Sequence, residues 1–446
     1  MSTHDTKSQN TVSKFTFNEH ESSLLRTTIS QIVERHTSPD TGSTSPKAMN
    51  VTGGVEYWMN QIRDMGSSEP VAAVAISIMH HLERLNLVVD HTDPCDNYGY
   101  PVFFWQIMTN LGKKPESVFP RLVHFGYDNR RRRHQEESAN IMPLPTLSIT
   151  PILQLPSIKS IELRLLDSDT KSLLAEDSTS SSVVATLESI TLVTTQLSHL
   201  ETLLSLAPNL SRLRFTLVRD VSTDSSAWVD ADALREILLG APCAKQLREV
   251  AVEIYWHRSG GLDYDQWDNW GGHLCGIDGR LGPLVGLERL DTLETAMQTL
   301  LGSRNYEPTS RGLVGMIPTG LKRLKISHDW YVFDGEYSWE DEELPSLIED
   351  LLAVWEPGEA LPDAKIPLEG INSGLVDDAM LKHVGGGGRA LEEIIVYDES
   401  QDPDPHDYLC GLDRLGTPER DLMQSSCQQR GVGFKVEGRR RKIMIM

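Results

Sequence analysis

Cysteine is scarce in this 446-residue chain. The thiols of Cys95, Cys243, Cys275, Cys410 and Cys427 lie far apart and include no Cys-x-x-Cys pair. That excludes a disulfide framework or a cysteine-built zinc module and leaves free thiols. Long apolar runs are missing too. The longest nearly apolar stretch, residues 71–79, falls well short of the roughly 20 residues a membrane span needs, so no membrane partner is expected. Residues 1–13 are polar and lack the apolar segment of a secretory leader, so a cytoplasmic or nuclear location is expected. Basic charge is in deficit. Lys and Arg number 42 against 64 Asp and Glu, a net charge of −22, which argues against nucleic acid as the main partner. Catalytic signatures are also absent. There is no Gly-x-Ser-x-Gly, no His-Glu-x-x-His, no kinase set and no dinucleotide fingerprint. A non-enzymatic role is therefore expected, with no catalytic residue, metal or cofactor assigned.

What is present is an ordinary folded composition, 39% hydrophobic, in a chain long enough for two or three domains or one elongated repeat domain. Residues 1–21 read as a disordered tail. Residues 22–81 read as an N-terminal helical cap, with helices at 22–34, 57–65 and 70–82 around a flexible Ser/Thr/Pro-rich linker at 36–49. From residue 82 a triplet of apolar residues at spacing L-x-x-L-x-L recurs. It begins at Leu82/Leu85/Leu87 and Leu122/Phe125/Tyr127, and continues at Ile158/Ile161/Leu163, Leu187/Ile190/Leu192 and Leu210/Leu213/Phe215. Later copies are Leu247/Val250/Val252, Leu321/Leu324/Ile326 and Leu391/Ile394/Val396. The last two residues of each triplet alternate along a short strand and point into a core, while the residues between them point to the opposite face, which is expected to be an uncovered polar ribbon. Pro120, Pro156 and Pro208 precede three of the triplets and mark entry turns.

Helices are expected between the strands, at 197–206, at 230–239 with Asp230 or Asp232 as cap, at 293–301 ended by Gly302, at 344–354 and at 421–430. A last strand is expected at 434–437. After the strand at Leu187, Thr195 stands where a leucine-rich repeat carries Asn or Cys, and its hydroxyl is expected to serve the turn less well than Asn. The triplet starts are unevenly spaced, so the pattern describes an irregular α/β solenoid: parallel strands on a concave side, helices and insertions on a convex side, over 82–437. An acidic insertion occupies 329–378, and residues 438–446 form a basic tail.

The segments LAPNLSRLRF, LPSIKSIEL, PTGLKRLKI and LGPLVGLERLDTLETAMQTLLG resemble degenerate leucine-rich-repeat proteins of filamentous fungi, many of which carry an N-terminal F-box. The resemblance covers roughly residues 55–437. It implies protein recognition on the concave face and a role as a substrate-selecting adaptor of a ubiquitin ligase, with a ligase adaptor among the partners. An L-x-x-L-P-x-E-L-like F-box helix does not stand in residues 1–48.

By alternation, the partner-binding residues are Arg84, Arg164, Arg212, Arg214, Glu249, Glu253, Arg323 and Lys325. Several are basic in an acidic chain, which points to a partner bearing acidic groups. The alternative is a metal-dependent enzyme using the 263–275 loop, where Asp263, Asp265, Asp268, His273 and Cys275 lie close together. The EF-hand pattern is broken there, because Trp267 and Asp268 stand where Asp or Asn and Gly are required. The run Gly385–388 lacks the Lys-Ser/Thr of a phosphate cradle and reads as a loop. The basic runs 130–133 and 439–442 read as solvated loops or localisation signals.

Overall fold

The computed structural model describes residues 19, 23–27, 29–30, 81–90, 119–130, 150–153, 155–165, 184–220, 227–257, 275–302, 313, 316–318, 320–327, 343–354, 391–398 and 417–438. They fall into two compact units. The first holds β1 (Arg84–Asp90), β2 (His124–Arg130) and the short helix α1 (Thr150–Leu153); the second holds every later element. In the first unit β1 and β2 pair in parallel, with Leu85 beside Phe125 and Leu87 beside Tyr127. Of the expected N-terminal helix 22–34, residues 23–27 and 29–30 are helical, with Ile29 fully buried. The expected helix at 57–65, and most of that at 70–82, lie outside the described residues. Residues 81 and 82, the end of the latter, are not helical.

In the second unit, eight strands lie side by side in parallel. They are β3 (Ser160–Leu165), β4 (Ser189–Thr194), β5 (Arg212–Asp220), β7 (Glu249–His257), β9 (Thr292–Ala296), β10 (Arg323–Ser327), β11 (Glu393–Asp398) and β12 (Gly433–Gly438). A separate parallel pair is made by β6 (Ala227–Asp230) and β8 (Cys275–Asp278). All eight sequence triplets become strands, six of them in this unit. The register carries each triplet onto the next without slippage: Ile161, Ile190, Leu213, Val250, Leu293, Leu324 and Ile394 form one continuous row. Each of these side chains is at most 2% exposed.

The reason the register does not slip is visible at the strand entrances. One carbonyl just before each of the strands β3, β4, β5, β7, β9 and β10 accepts two N–H groups from the next chain segment. Lys159 O takes Glu188 and Ser189, Glu188 O takes Ser211 and Arg212, Ser211 O takes Arg248 and Glu249, and Arg248 O takes Asp291 and Thr292. A carbonyl has two lone pairs, so nothing is left unpaired. A one-residue slip would break this ladder and turn the leucine row toward the polar face. The turn before β2, β3, β4, β5, β9 and β10 repeats too. Leu122 N–H donates to Phe119 O, Ile158 to Leu155 O, Leu187 to Val184 O, Leu210 to Ala207 O and Leu290 to Leu287 O. Pro120, Pro156 and Pro208 fill the second position of three of these turns, which suits their fixed φ.

Helices connect the strands: α2 (Leu197–Leu206), α3 (Ala231–Gly240), α4 (Met297–Leu301), α5 (Glu343–Val354) and α6 (Thr417–Gln429). Asp230 caps α3, its Oδ1 accepting the Ala233 N–H at 2.7 Å, and Leu234 and Leu238 are fully buried beneath it. α6 starts four residues before the expected 421 because Thr417-Pro418 opens it, with proline in the tolerated first turn. α5 packs on α6. Ser426 Oγ donates to Glu349 at 2.9 Å, and Arg430 Nη1 donates to the Leu352 carbonyl at 2.8 Å.

Two expectations are corrected. The helix expected at 293–301 divides: residues 292–296 are strand β9, and only Met297–Leu301 is helical. Leu287, Leu290 and Leu293 carry the entry spacing, but Thr295 takes the last inward position, where the triplet requires an apolar residue. The hydroxyl serving the turn after β4 belongs to Thr194, not Thr195. Thr194 Oγ1 accepts the Gln196 N–H at 3.2 Å and meets His199 Nδ1 at 2.7 Å in the interior. The 329–342 and 355–378 parts of the acidic insertion lie outside the described residues, as do 1–18, 36–49 and 439–446.

Candidate functional site

Because the register is continuous, residues on the face opposite the leucine rows also line up across the strands. The first row reads Ser160, Ser189, Arg212, Glu249, Thr292, Arg323, Glu393 and Gly433. Two residues on comes Glu162, Thr191, Arg214, Ala251, Glu294, Lys325, Ile395 and Lys435. Two further on, Arg164, Val193, Thr216 and Glu253 are in register from β3 to β7, and Ala296, Ser327, Tyr397 and Glu437 are in register from β9 to β12. Thus Arg164, Arg212, Arg214, Glu249, Glu253, Arg323 and Lys325 are brought onto one face. Arg84 stands exposed on β1 of the first unit, in register with His124, whose Nε2 lies 3.1 Å from Asn86 Oδ1.

Electrostatically this face is balanced. Its three rows hold six basic residues (Arg164, Arg212, Arg214, Arg323, Lys325, Lys435) and six acidic ones (Glu162, Glu249, Glu253, Glu294, Glu393, Glu437). In a chain of net charge −22 that makes it a less negative surface than the rest. Within the block from β5 to β10, the first two rows hold four cations and two carboxylates.

The centre of the block is Glu294, a residue that the helical reading of 293–301 kept out of consideration. Its carboxylate is 8% exposed. Arg214 reaches it across the intervening strand, Nη2 to Oε2 at 3.1 Å and Nη1 to Oε1 at 3.4 Å, the two-pronged geometry that suits guanidinium to carboxylate. The bridge passes over Ala251, the small residue that β7 sets between them. On the other side Lys325 Nζ lies 3.7 Å from Glu294 Oε2. Tyr397 completes the group on β11. Burial raises its phenol pKa first, the nearby Glu294 raises it further, and the charge of Lys325 and a hydrogen bond to it work against both. Beside this group Thr216 Oγ1 donates to Glu253 Oε2 at 3.3 Å.

The expectation that this face is an uncovered polar ribbon is therefore corrected over part of its width. β9 is buried on both faces: Thr292, Glu294 and Ala296 are 7%, 6% and 4% exposed. Ser327 and Ile395 are also buried. Arg214 and Lys325 are engaged with Glu294, whereas Arg212 and Arg323 are exposed and have no ion-pair partner among the described residues.

The other sequence candidates contribute little that the structure describes. Of the 263–275 loop only Cys275 is described, as the first residue of β8, and among the described residues no three His, Cys, Asp or Glu side chains gather as for a metal. Gly385–388 and the basic runs lie outside the described residues, apart from Arg130 at the end of β2. Cys243 and Cys427 are free, and burial pushes both thiols up to about 11, so neither is a thiolate near neutral pH. Among the described residues no helix is long and apolar enough to cross a membrane. No family model, curated protein sequence or solved structure matches the chain.

Proposed function

We propose that the protein is a recognition scaffold of the leucine-rich-repeat type, and that the polar face of its eight registered strands captures an acidic segment of a partner protein. The observation that carries this reading is the block around Glu294. A buried carboxylate holds the Arg214 guanidinium and the Lys325 ammonium in fixed positions, so their ordering entropy is spent before a partner arrives. The Arg214 side chain is still 53% exposed and keeps N–H groups for a visitor. Arg212 and Arg323 flank it on β5 and β10, three strand spacings or about 14 Å apart. An extended peptide advances about 3.3 Å per residue, so carboxylates four residues apart would reach both arginines.

The test titrates the full chain against fluorescein-labelled peptides bearing two glutamates four residues apart, with lysine-bearing peptides as the contrast. Binding is expected for the acidic series only. Arg212→Glu with Arg323→Glu is expected to weaken it at least tenfold, at unchanged circular dichroism. These two are chosen because reversing Arg214 or Lys325 would strand the Glu294 charge in a buried position. Equal binding by the variant and its parent would remove the proposal. The resemblance to fungal F-box proteins supports a captured partner destined for ubiquitination, and co-purification with a Skp-type adaptor is the separate measurement for that extension.

A further inference from the structure

The eight-strand ladder ends on β12. Its one side pairs with β11, and among the described residues no strand pairs with the other. Its inward positions are correspondingly less covered. Phe434 and Val436 are half-buried, whereas Ile394 and Val396, their register partners on β11, are 0% and 1% exposed. An open edge with partly bared apolar residues is a template for another strand.

The backbone decides which groups such a strand would meet. Gly433 N–H donates to Glu392 O at 2.8 Å, so this residue directs its peptide groups at β11. Direction alternates along a strand, so Lys435 and Glu437 also direct their peptide groups at β11, while Phe434, Val436 and Gly438 offer N–H and C=O to the open side. An antiparallel copy of the same strand must match outward residues with outward residues. Two registers do so while overlapping five of the six residues of Gly433–Gly438. One is centred on Lys435 and sets Lys435 against the same lysine of the other copy. The other is centred on Val436 and sets Lys435 against the other copy's Glu437, twice, with valine facing valine. Like charges directly opposed disfavour the first register, and the two opposed pairs favour the second.

We propose that β12 of two chains pair antiparallel about a two-fold axis through Val436, making the protein a dimer. The interface is isologous, so it closes on itself and does not polymerise. It lies at the ladder's end and does not depend on what the polar face binds.

The test is the molar mass of the full chain by light scattering after gel filtration, from about 1 to about 100 µM. The expected result is a concentration-dependent rise from the 49.9 kDa of one chain to twice that mass. Val436→Pro removes an N–H that points away from β11, a change edge strands tolerate, and should give a monomer with unchanged circular dichroism. Glu437→Lys sets lysine against lysine and should raise the dimer Kd by roughly tenfold. Lys435 also forms an ion pair with Glu393 inside the chain. The rescue variant therefore combines Lys435→Glu, Glu437→Lys and Glu393→Lys, which keeps both the internal and the cross-copy pairing, and it should dimerise as the parent does. A mass of 49.9 kDa at every concentration would overturn the proposal. So would a dimer that Val436→Pro and Glu437→Lys leave intact, because its interface would lie elsewhere. A rescue variant that stays monomeric would overturn the register.

Discussion

His199 shows how much a single side chain can tie to the solvent's pH. It is 5% exposed, its Nδ1 is 2.7 Å from the Thr194 hydroxyl, and burial lowers its pKa below the ordinary 6.5. The unfolded chain therefore takes up a proton at higher pH than the folded chain. The stability this residue contributes is fully present above pH 6.5 and is lost as pH falls toward the lowered value, at up to ~1.4 kcal/mol for each pH unit in that window. Urea unfolding at pH 7.5 and 5.5 should show the parent losing stability on acidification, and His199→Leu losing less. Equal losses would mean that other groups carry the acid sensitivity. At the same scale, Ala251 allows the contact between Arg214 and Glu294. Ala251→Leu would stand in the path of the guanidinium and leave a nearly buried carboxylate with Lys325 alone. The Arg214 end of the pair is half exposed and re-solvates, so the expected cost is about 1 kcal/mol, read by urea denaturation.

At the scale of elements, what could be read from the chain was whatever local spacing writes down. The rows of Leu, Ile and Val in β3, β4, β5, β7, β10 and β11 are legible because alternation is a property of five adjacent residues. α2 is legible because its apolar stripe and the Ala207-Pro208-Asn209 stop are contiguous. β9 was obscured because Thr295 breaks the triplet and the residues after it favour a helix, so the entry turn at Leu287 and Leu290 was its one local mark. β6 and β8 are four residues long, too short for any period to show. The glycines around α3 separate two kinds of punctuation. Gly279 has φ +70, and a Cβ there would run into the Asp232 carboxylate, so Gly279→Ala is expected to destabilise by more than 1 kcal/mol. Gly240 ends α3, has no positive φ, and would place its Cβ in open space, so Gly240→Ala should be neutral or stabilising by up to ~1 kcal/mol. Thermal melts of the two variants check the ordering, and a reversed order would contradict the loop geometry.

At the scale of the whole molecule, the candidate site was only half legible, for a reason that lies in sequence distance. Alternation identified which face Arg212, Arg214, Arg323 and Lys325 occupy. It could not reveal that Glu294 lies under two of them, because its bond to Arg214 joins residues 80 apart and depends on the strand between them carrying alanine. Each strand of the second unit bonds only to the strands beside it among the described residues, so a residue of an interior row is packed from both sides. An interior row residue should therefore cost more to remove than one at the ladder's end. Leu293, fully buried between Val250 and Leu324, loses contacts on both sides when shortened, and Leu293→Ala should cost about 3 kcal/mol or more. Phe434 is larger but half-buried and has a strand on one side, so Phe434→Ala should cost less than Leu293→Ala despite deleting more atoms. Urea denaturation below the concentration at which chains associate measures both. If truncating the end residue proved the costlier change, the strands would have to derive their stability from something other than their neighbours in the sheet.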